Sequence, residues 1–316
     1  MTRLSLGAGT LAVAMLWSGP ASGQATFTSG VDAVRLDVSV TRGGQPVVGL
    51  TADDFVVTDN GVPQRVESIL LDELPVSVFL VLDTSGSVAG VKLRHLIGAG
   101  QALVEALRPA DRAALITFSI DVTARVPLTD SKTAINQALL SLNAGGSTAM
   151  RDAVYTTLQL QPDDETRSVA IVFTDGFDTA SWLSESDLVT TAERAGVVIH
   201  AVDLITESPG PPGPTGPVLF GNRSVPFATS WRAPSRSAAF LESLVAAAGG
   251  RRWSATTSGN PQELFTRALD EMRARYLLTF YIQGANREGW HDLNVTLKRE
   301  RGEVKARRGY FVRASK

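Results

Sequence analysis

The chain has 316 residues, 44% of them hydrophobic, with 30 basic and 32 acidic residues and a formal net charge of −2 at pH 7. A chain of this length and composition can bury a full core and divide into more than one domain. Its balanced charge gives no reason to expect a nucleic acid partner or an anionic membrane surface. Because the sequence contains no cysteine, disulfides and a lipid-modified N-terminal cysteine are excluded.

The first 25 residues have the order of a secretory signal peptide. Arg3 is followed by an apolar run from Leu4 to Trp17, a helix-breaking Gly-Pro pair, and small residues around a cleavage site after Gly23 or Ala25. The alternative is a transmembrane anchor, but the run is shorter than the roughly 20 residues that a spanning helix needs. We therefore expect residues 1–25 to be removed, and the mature chain, without a membrane span, to be periplasmic or secreted.

Hydrophobic periodicity divides the rest of the chain into three parts. Short alternating runs and the turn pairs Gly43-Gly44 and Asn60-Gly61 predict β-hairpins in residues 26–74. Residues 75–275 alternate apolar runs with amphipathic segments, which is typical of a mostly parallel sheet covered by helices on both faces. Strand patterns return in residues 276–316. Helices are predicted near residues 88–107, 132–142, 149–160, 185–195, 237–248 and 261–275.

These patterns predict an α/β fold with a doubly wound, mostly parallel sheet, flanked by a β-sandwich. Neither β-rich end is long enough to build a two-layer core alone. We therefore expect residues 34–71 and 276–312 to pack together as one sandwich, from which the α/β domain emerges as an insertion.

A segment rich in proline and glycine, residues 207–236, stands where a short strand-to-helix connection is expected. Its Gly-Pro-Pro-Gly-Pro-Thr-Gly stretch has a collagen-like register, but so few triplets cannot form a triple helix. We interpret the segment as a flexible surface insertion. Its aromatic residues Phe220, Phe227 and Trp231 are either binding residues or side chains that pack back onto the domain.

Oxygen-bearing side chains occur at three places where loops of the predicted sheet begin or end. Asp83, Ser85 and Ser87 follow a buried strand, Thr148 lies in a glycine-rich loop before a helix, and Asp175 follows a second buried strand. Ligands of open α/β sheets bind at the carboxyl ends of the strands, near the point where strand order reverses. We therefore expect these five side chains to form one site.

The five candidates supply hard oxygen donors, and no histidine or cysteine accompanies them. This donor set favours Mg²⁺, with Mn²⁺ or Ca²⁺ as alternatives, over zinc or copper. Only Asp83 and Asp175 carry negative charge, so a bound dication keeps much of its positive charge. An open coordination position would then accept an outside oxygen, most favourably the carboxylate of an Asp or Glu in a partner protein.

The motifs resemble the metal-ion-dependent adhesion site of von Willebrand factor type A domains. Asp-x-Ser-x-Ser after an apolar strand, a threonine in a Gly-Gly-Ser-Thr loop and a later Thr-Asp-Gly occur in the family's order. The resemblance implies that Asp83, Ser85, Ser87, Thr148 and Asp175 are the metal-site positions, with the hydroxyls usually direct ligands and the aspartates often bound through water. Both ends of the chain resemble an exported bacterial subgroup of such proteins, whereas the 207–236 insertion departs from the pattern.

Each candidate residue also has a purely structural interpretation. Ser85, Ser87 and Thr148 could cap the helices that follow them, and Asp175 could belong to an ordinary strand-end turn. The coincidence of donors in three loops at one sheet edge favours the metal site over these separate explanations.

Two further classes of protein stay open as alternatives: a non-catalytic scaffold subunit with a dispensable metal, and a metal-dependent phosphohydrolase. Phosphatases of the Asp-x-Asp type need a second acid, and here that position is Ser85, which cannot transfer protons near neutral pH. The sequence has neither a Gly-x-Ser-x-Gly elbow nor a phosphate-binding loop. His95, His200 and His291 are interpreted as structural. The prediction is a non-enzymatic, exported, metal-dependent protein-binding module with no catalytic residue.

Overall fold

The chain begins, in its described part, with short strands joined by tight turns. The structure is a computed structural model that describes residues 33–72, 74–162, 164, 166–175, 178–205, 218–220, 223–225, 236–256, 261–285, 288–299 and 302–312. The first strands are β1 (Ala33–Arg42), β2 (Gln45–Pro46), β3 (Phe55–Asp59), β4 (Val62–Gln64) and β5 (Val66–Leu71). Asn60 and Gly61, at φ 49° and 79°, form the β3–β4 turn, as their sequence predicts.

Strands and helices then alternate through the middle of the chain. The strands are β6 (Val76–Asp83), β7 (Arg112–Phe118), β8 (Val122–Thr129), β9 (Arg167–Thr174), β10 (Val198–Ile205), β11 (Val218–Phe220), β12 (Arg223–Val225) and β13 (Arg252–Thr256). The helices are α1 (Val91–Ala106), α2 (Lys132–Leu140), α3 (Met150–Gln159), α4 (Glu185–Ala195), α5 (Arg236–Ala247) and α6 (Pro261–Arg273).

The central sheet has six strands in the order β13-β10-β9-β6-β7-β8. Its neighbours pair in parallel except β8, which is antiparallel to β7. The chain starts in the middle at β6, moves outward through β7 to β8, and returns to β9 on the other side of β6. Strand order therefore reverses between β6 and β9, and the loops that follow these two strands meet at the switch point.

Helices cover both faces of this sheet, which explains why every residue of β6 is buried. Val78 and Leu80 face a core built with α1, α2 and α6. Phe79 and Val81 face the opposite core, built with α3, α4 and α5. The predicted doubly wound α/β fold is confirmed.

The two ends of the chain share two antiparallel sheets. The last strands are β14 (Tyr276–Tyr281), β15 (Gly289–Leu297), β16 (Glu303–Lys305) and β17 (Gly309–Val312). One sheet has the order β16-β1-β14-β5, with β2 on β1, and the other has the order β17-β15-β3-β4. Both contribute to a single core that includes Leu36, Val57 and Leu278. The predicted sandwich of N- and C-terminal strands is therefore confirmed, while the domain boundaries at residues 74 and 275 stay predictions.

The sequence does not predict two features of the described chain. Strand β8 has mostly exposed or half-buried side chains, so it lacks the apolar run of the other strands. Strands β11 and β12 pair as a hairpin inside the segment interpreted as an insertion, and Phe220 belongs to β11. Phe227, Trp231 and the signal-peptide segment lie outside the described residues. In the described part of the chain, no helix combines the length and apolarity needed to span a bilayer.

Candidate metal site

The loop after β6 is joined to the loop between α2 and α3 by a pair of backbone hydrogen bonds. Gly86 N donates to Gly146 O at 3.0 Å, and Gly145 N donates to Thr84 O at 2.8 Å. Gly146 has φ +82°, a left-handed conformation that favours glycine. The glycines of the Gly-Gly-Ser-Thr motif thus let two backbones run side by side at the sheet edge.

The loop after β9 is attached to the same structure through Thr148. The carbonyl oxygen of Thr148 accepts hydrogen bonds from Thr179 N at 2.8 Å and from Ala180 N at 3.0 Å. In return, Thr148 N donates to Thr179 Oγ1 at 3.1 Å. The three loops that carry the predicted site are therefore held to one another by their backbones.

Four of the five predicted residues line one cleft of about 380 Å³ at this edge. The cleft is lined by Ser85, Ser87, Gly146, Ser147, Thr148, Asp175 and Thr179. The Oγ atoms of Ser85 and Ser87 are 2.9 Å apart, and Ser87 Oγ donates to Asp175 Oδ1 at 2.9 Å. The structure thus brings a serine pair, a threonine and a carboxylate from three loops to one place.

Asp83, the fifth predicted residue, lies beneath the cleft and is fully buried. Its Oδ1 accepts a hydrogen bond from Ser85 N at 2.8 Å, and its Oδ2 accepts one from Thr174 Oγ1 at 3.0 Å. Burial raises the pKa of Asp83 and the nearby Asp175 carboxylate raises it further, although the hydrogen bonds from Ser85 and Thr174 lower it. These donors are neutral, so a cation in the cleft would compensate a charge that the fold leaves poorly compensated.

Lys92 is a residue of the candidate site that the sequence does not predict. Its ammonium donates to Asp175 Oδ2 at 3.1 Å and to Ser87 O at 3.0 Å. Its position in the first turn of α1 could have indicated a role for Lys92. A positive charge there is unfavourable next to the helix dipole and needs a negatively charged partner.

A third carboxylate near the site is already paired. Asp203, across from Thr174 in the register of β9 and β10, lies 3.0 Å from Arg252 NH1. Among the residues that the structure describes, no group of three or more His, Cys, Asp or Glu side chains could hold a metal ion. Any ion in this cleft would be held by two carboxylates and a set of hydroxyls, which suits a hard cation.

The structural interpretation of the hydroxyls finds little support. Ser85 is the N-cap residue of a short 3₁₀ turn, Gly86–Val88, but its side chain makes no capping hydrogen bond. The N-cap residue of α3 is Ala149 and that of α1 is Gly90, so neither helix is capped by a predicted site residue. The hydroxyls of Ser85 and Ser87 point to each other and to Asp175 instead.

The fold and the site together define a class of protein. Residues 77–209 match the family model of the von Willebrand factor type A domain, and the chain therefore contains a domain of this family. Domains of this family commonly mediate protein–protein interactions, in some cases through a divalent cation, and are generally not enzymes. Comparison with curated proteins gave no match.

Solved structures with the same kind of domain are similar to this chain at low identity. An aerotolerance-related membrane protein from Bacteroides fragilis, crystallised with multiple mutations to serines, has 17% identity and a TM-score of 0.46, with 62% of this chain and 98% of that chain covered. A von Willebrand factor type A protein from Catenulispora acidiphila has 12% identity and a TM-score of 0.48, with coverages of 86% and 76%. Proximal thread matrix protein 1 from the mussel byssus, with a zinc-occupied MIDAS motif, has 17% identity and a TM-score of 0.46, with coverages of 66% and 48%.

Proposed function

We propose that this protein is an exported, non-enzymatic binding module that holds a divalent cation at Asp83, Ser85, Ser87, Thr148 and Asp175 and uses it to bind a carboxylate of another protein. The observation that carries the proposal is the hydrogen-bonded chain Asp83–Ser85–Ser87–Asp175 along a cleft that Thr148 also lines. Mg²⁺ is the preferred ion, with Mn²⁺ or Ca²⁺ as alternatives. Export rests on the signal-like order of residues 1–25.

The charges at the site support binding of an anion. Asp83 and Asp175 contribute two negative charges, and Lys92, whose ammonium lies 3.1 Å from Asp175, contributes one positive charge. A dication added to this set leaves a net positive charge in a partly buried cleft, where electrostatic attraction is stronger than in bulk water. An Asp or Glu side chain from a partner supplies both the missing charge and a ligand oxygen.

The phosphohydrolase alternative lacks a proton-transfer group. Among the residues that line the cleft, Asp175 is the titratable one, and its oxygens are already engaged by Ser87 and Lys92. Two of the three histidines have partners in other parts of the fold: His200 accepts a bond from Arg251 N at 3.1 Å, and His291 contacts Asp59. A general base within hydrogen-bond reach of a substrate is a requirement of such chemistry.

Calorimetric titration with Mg²⁺ tests the metal site directly. We expect the wild-type protein to bind the ion and Asp83→Ala to show no measurable binding, because one of two anionic supports is lost. Asp130→Ala, which removes an exposed carboxylate just before α2, is the matched control and should bind like the wild type. Equal Mg²⁺ affinity of Asp83→Ala and the control would contradict the proposed site.

A partner-capture experiment then distinguishes metal-dependent binding from the alternative of a scaffold subunit with a dispensable metal. With proteins of the exported fraction as the source, we expect capture by the wild type in Mg²⁺ and its loss both with chelator and with Asp83→Ala. A partner that bound equally well under all three conditions would make the metal dispensable and favour the scaffold.

A further inference from the structure

Three large apolar side chains on segments that border the candidate metal cleft are exposed to solvent: two lie on loops, and one begins α1. Trp182 is 97% exposed, Ile120 is 62% exposed and Val91 is 51% exposed. We refer to Val91, Ile120 and Trp182 as the apolar rim. Exposed aromatic and aliphatic side chains grouped around a binding site mark an interaction surface more often than isolated ones do.

Each member of the apolar rim belongs to a segment that also carries a residue at or beside the cleft. Ile120 N would lie 3.6 Å from a Cβ placed on Gly146, a cleft residue. Val91 precedes Lys92, whose ammonium reaches Asp175. Trp182 follows Thr179 in the loop that borders the cleft.

The exposure of Trp182 does not come from a loosely attached loop. Asp152 on α3 accepts hydrogen bonds from the backbone N–H groups of Trp182 and Leu183, both at 3.0 Å. Asp178 accepts one from Ser181 N at 3.1 Å and another from Ser181 Oγ at 2.7 Å. The loop backbone is thus held on α3, so the point from which the indole projects into solvent is pre-organised, which lowers the entropic cost of binding.

We propose that the apolar rim is the second half of the binding surface, and that the partner is a protein segment in which an acidic residue is flanked by large apolar residues. This inference rests on the proposed function. Charge complementarity fixes the arrangement: the bound dication and Lys92 require an anion over the cleft, whereas the uncharged rim favours apolar groups on either side. Trp182 supplies the large, rigid contact that dominates the energy of many interfaces.

A lipid surface fits the rim less well. Glu185 and Asp187 stand in the first turn of α4, directly after the Trp182 loop. Their negative charges oppose contact with anionic headgroups, but they do not prevent contact with a protein segment that has a single acidic residue.

A display library of random dodecapeptides, selected on the immobilised full chain in Mg²⁺ and eluted with chelator, tests the inference. We expect the recovered peptides to contain an acidic residue with Leu, Ile, Phe, Trp or Met within three positions. Trp182→Ser should bind those peptides about tenfold more weakly and, in a new selection, keep the acidic residue but lose the apolar preference. Leu140→Ser is the matched control, because Leu140 is 66% exposed on α2 and should leave both preferences intact.

The outcomes separate this inference from the proposed function. Chelator-eluted peptides with an acidic residue but no apolar enrichment, or equal binding by Trp182→Ser, would overturn the rim and leave metal-dependent carboxylate binding standing. Selection without any acidic, chelator-sensitive peptides would overturn both. Trp182-dependent cosedimentation with phosphatidylglycerol vesicles would replace the protein partner by a membrane.

Discussion

Two aspartates, Asp59 and Asp83, end strands in different parts of this protein, and both are fully buried, but they have different hydrogen-bond partners. Asp59, at the end of β3 in the sandwich, lies 2.7 Å from His291 Nδ1 and 2.6 Å from the Tyr310 hydroxyl. Asp83, at the end of β6, receives hydrogen bonds from the uncharged groups of Ser85 and Thr174, and a second carboxylate stands nearby.

The difference teaches how to separate a carboxylate whose partners the fold supplies from one that is a candidate ligand. Asp59 has side-chain partners inside the same core, and the His291 ring stacks on Tyr310 at 4.7 Å. Both carboxylate oxygens of Asp59 are therefore engaged by side chains of the sandwich. In the part of the chain that the structure describes, no cation pairs directly with Asp83, which borders an open cleft, so its charge is available to an added ion.

The largest expected effect is that of Asp59→Asn on stability. The amide cannot accept from both His291 and Tyr310 as the carboxylate does, and it leaves a buried donor without a partner. We expect the free energy of unfolding to fall by about 3 kcal/mol, equally with Mg²⁺ and with chelator, measured by urea denaturation. A loss that depended on Mg²⁺ would remove the distinction between the two aspartates.

The same substitution at the other aspartate, Asp83→Asn, should act through the metal. In chelator we expect a change within about 1 kcal/mol, because the amide keeps an acceptor for Ser85 N and relieves the burial of a charge. With Mg²⁺ at a hundred times its dissociation constant, the wild type gains about 2.7 kcal/mol and the variant should not. The shift of the unfolding midpoint on adding Mg²⁺ measures this gain, and a shift of equal size in Asp83→Asn would contradict it.

The smallest expected effect concerns Lys92, the cation that the fold itself places at the site. Lys92→Met removes a positive charge beside Asp175 while keeping an unbranched side chain. We expect Mg²⁺ to bind about tenfold more tightly, a difference of about 1.4 kcal/mol, in calorimetric titrations. Lys132→Met, which removes an ammonium bound to Glu105 O on the surface, should leave Mg²⁺ affinity unchanged. If both variants bound the ion like the wild type, Lys92 would have no part in the charge balance.

The sequence predicts most elements of the α/β domain, because their signals are local. Helix α4 is predicted at its observed bounds, and the strand that ends in Asp83 contains an unbroken apolar run from Val78 to Leu82. Strand β8 escapes prediction because an edge strand with solvent on much of its surface needs no such run. The sheet order of the sandwich is equally hidden, since it depends on pairs such as Asp59 and His291, which are 232 positions apart.

The candidate site shows the same limit on prediction. Asp83, Ser85, Ser87, Thr148 and Asp175 follow short motifs, and the structure places them together, while their role as metal ligands stays a prediction. Lys92 and Trp182 belong to no motif. Lys92 is singled out because its ammonium lies close to the Asp175 carboxylate, and Trp182 is singled out because its side chain is almost fully exposed. Neither property can be read from neighbouring residues.

The shared sandwich also sets the order in which this protein can fold. Strand β1 forms a local pair with β2, and β3 with β4, but the pairs of β1 with β14 and of β3 with β15 need the last strands of the chain. Such distant pairings close slowly, whereas the sheet between them can form earlier. We expect a refolding intermediate with a formed α/β core and N-terminal strands that still lack their C-terminal partners. The open edges of these strands are the places where chains aggregate at high concentration.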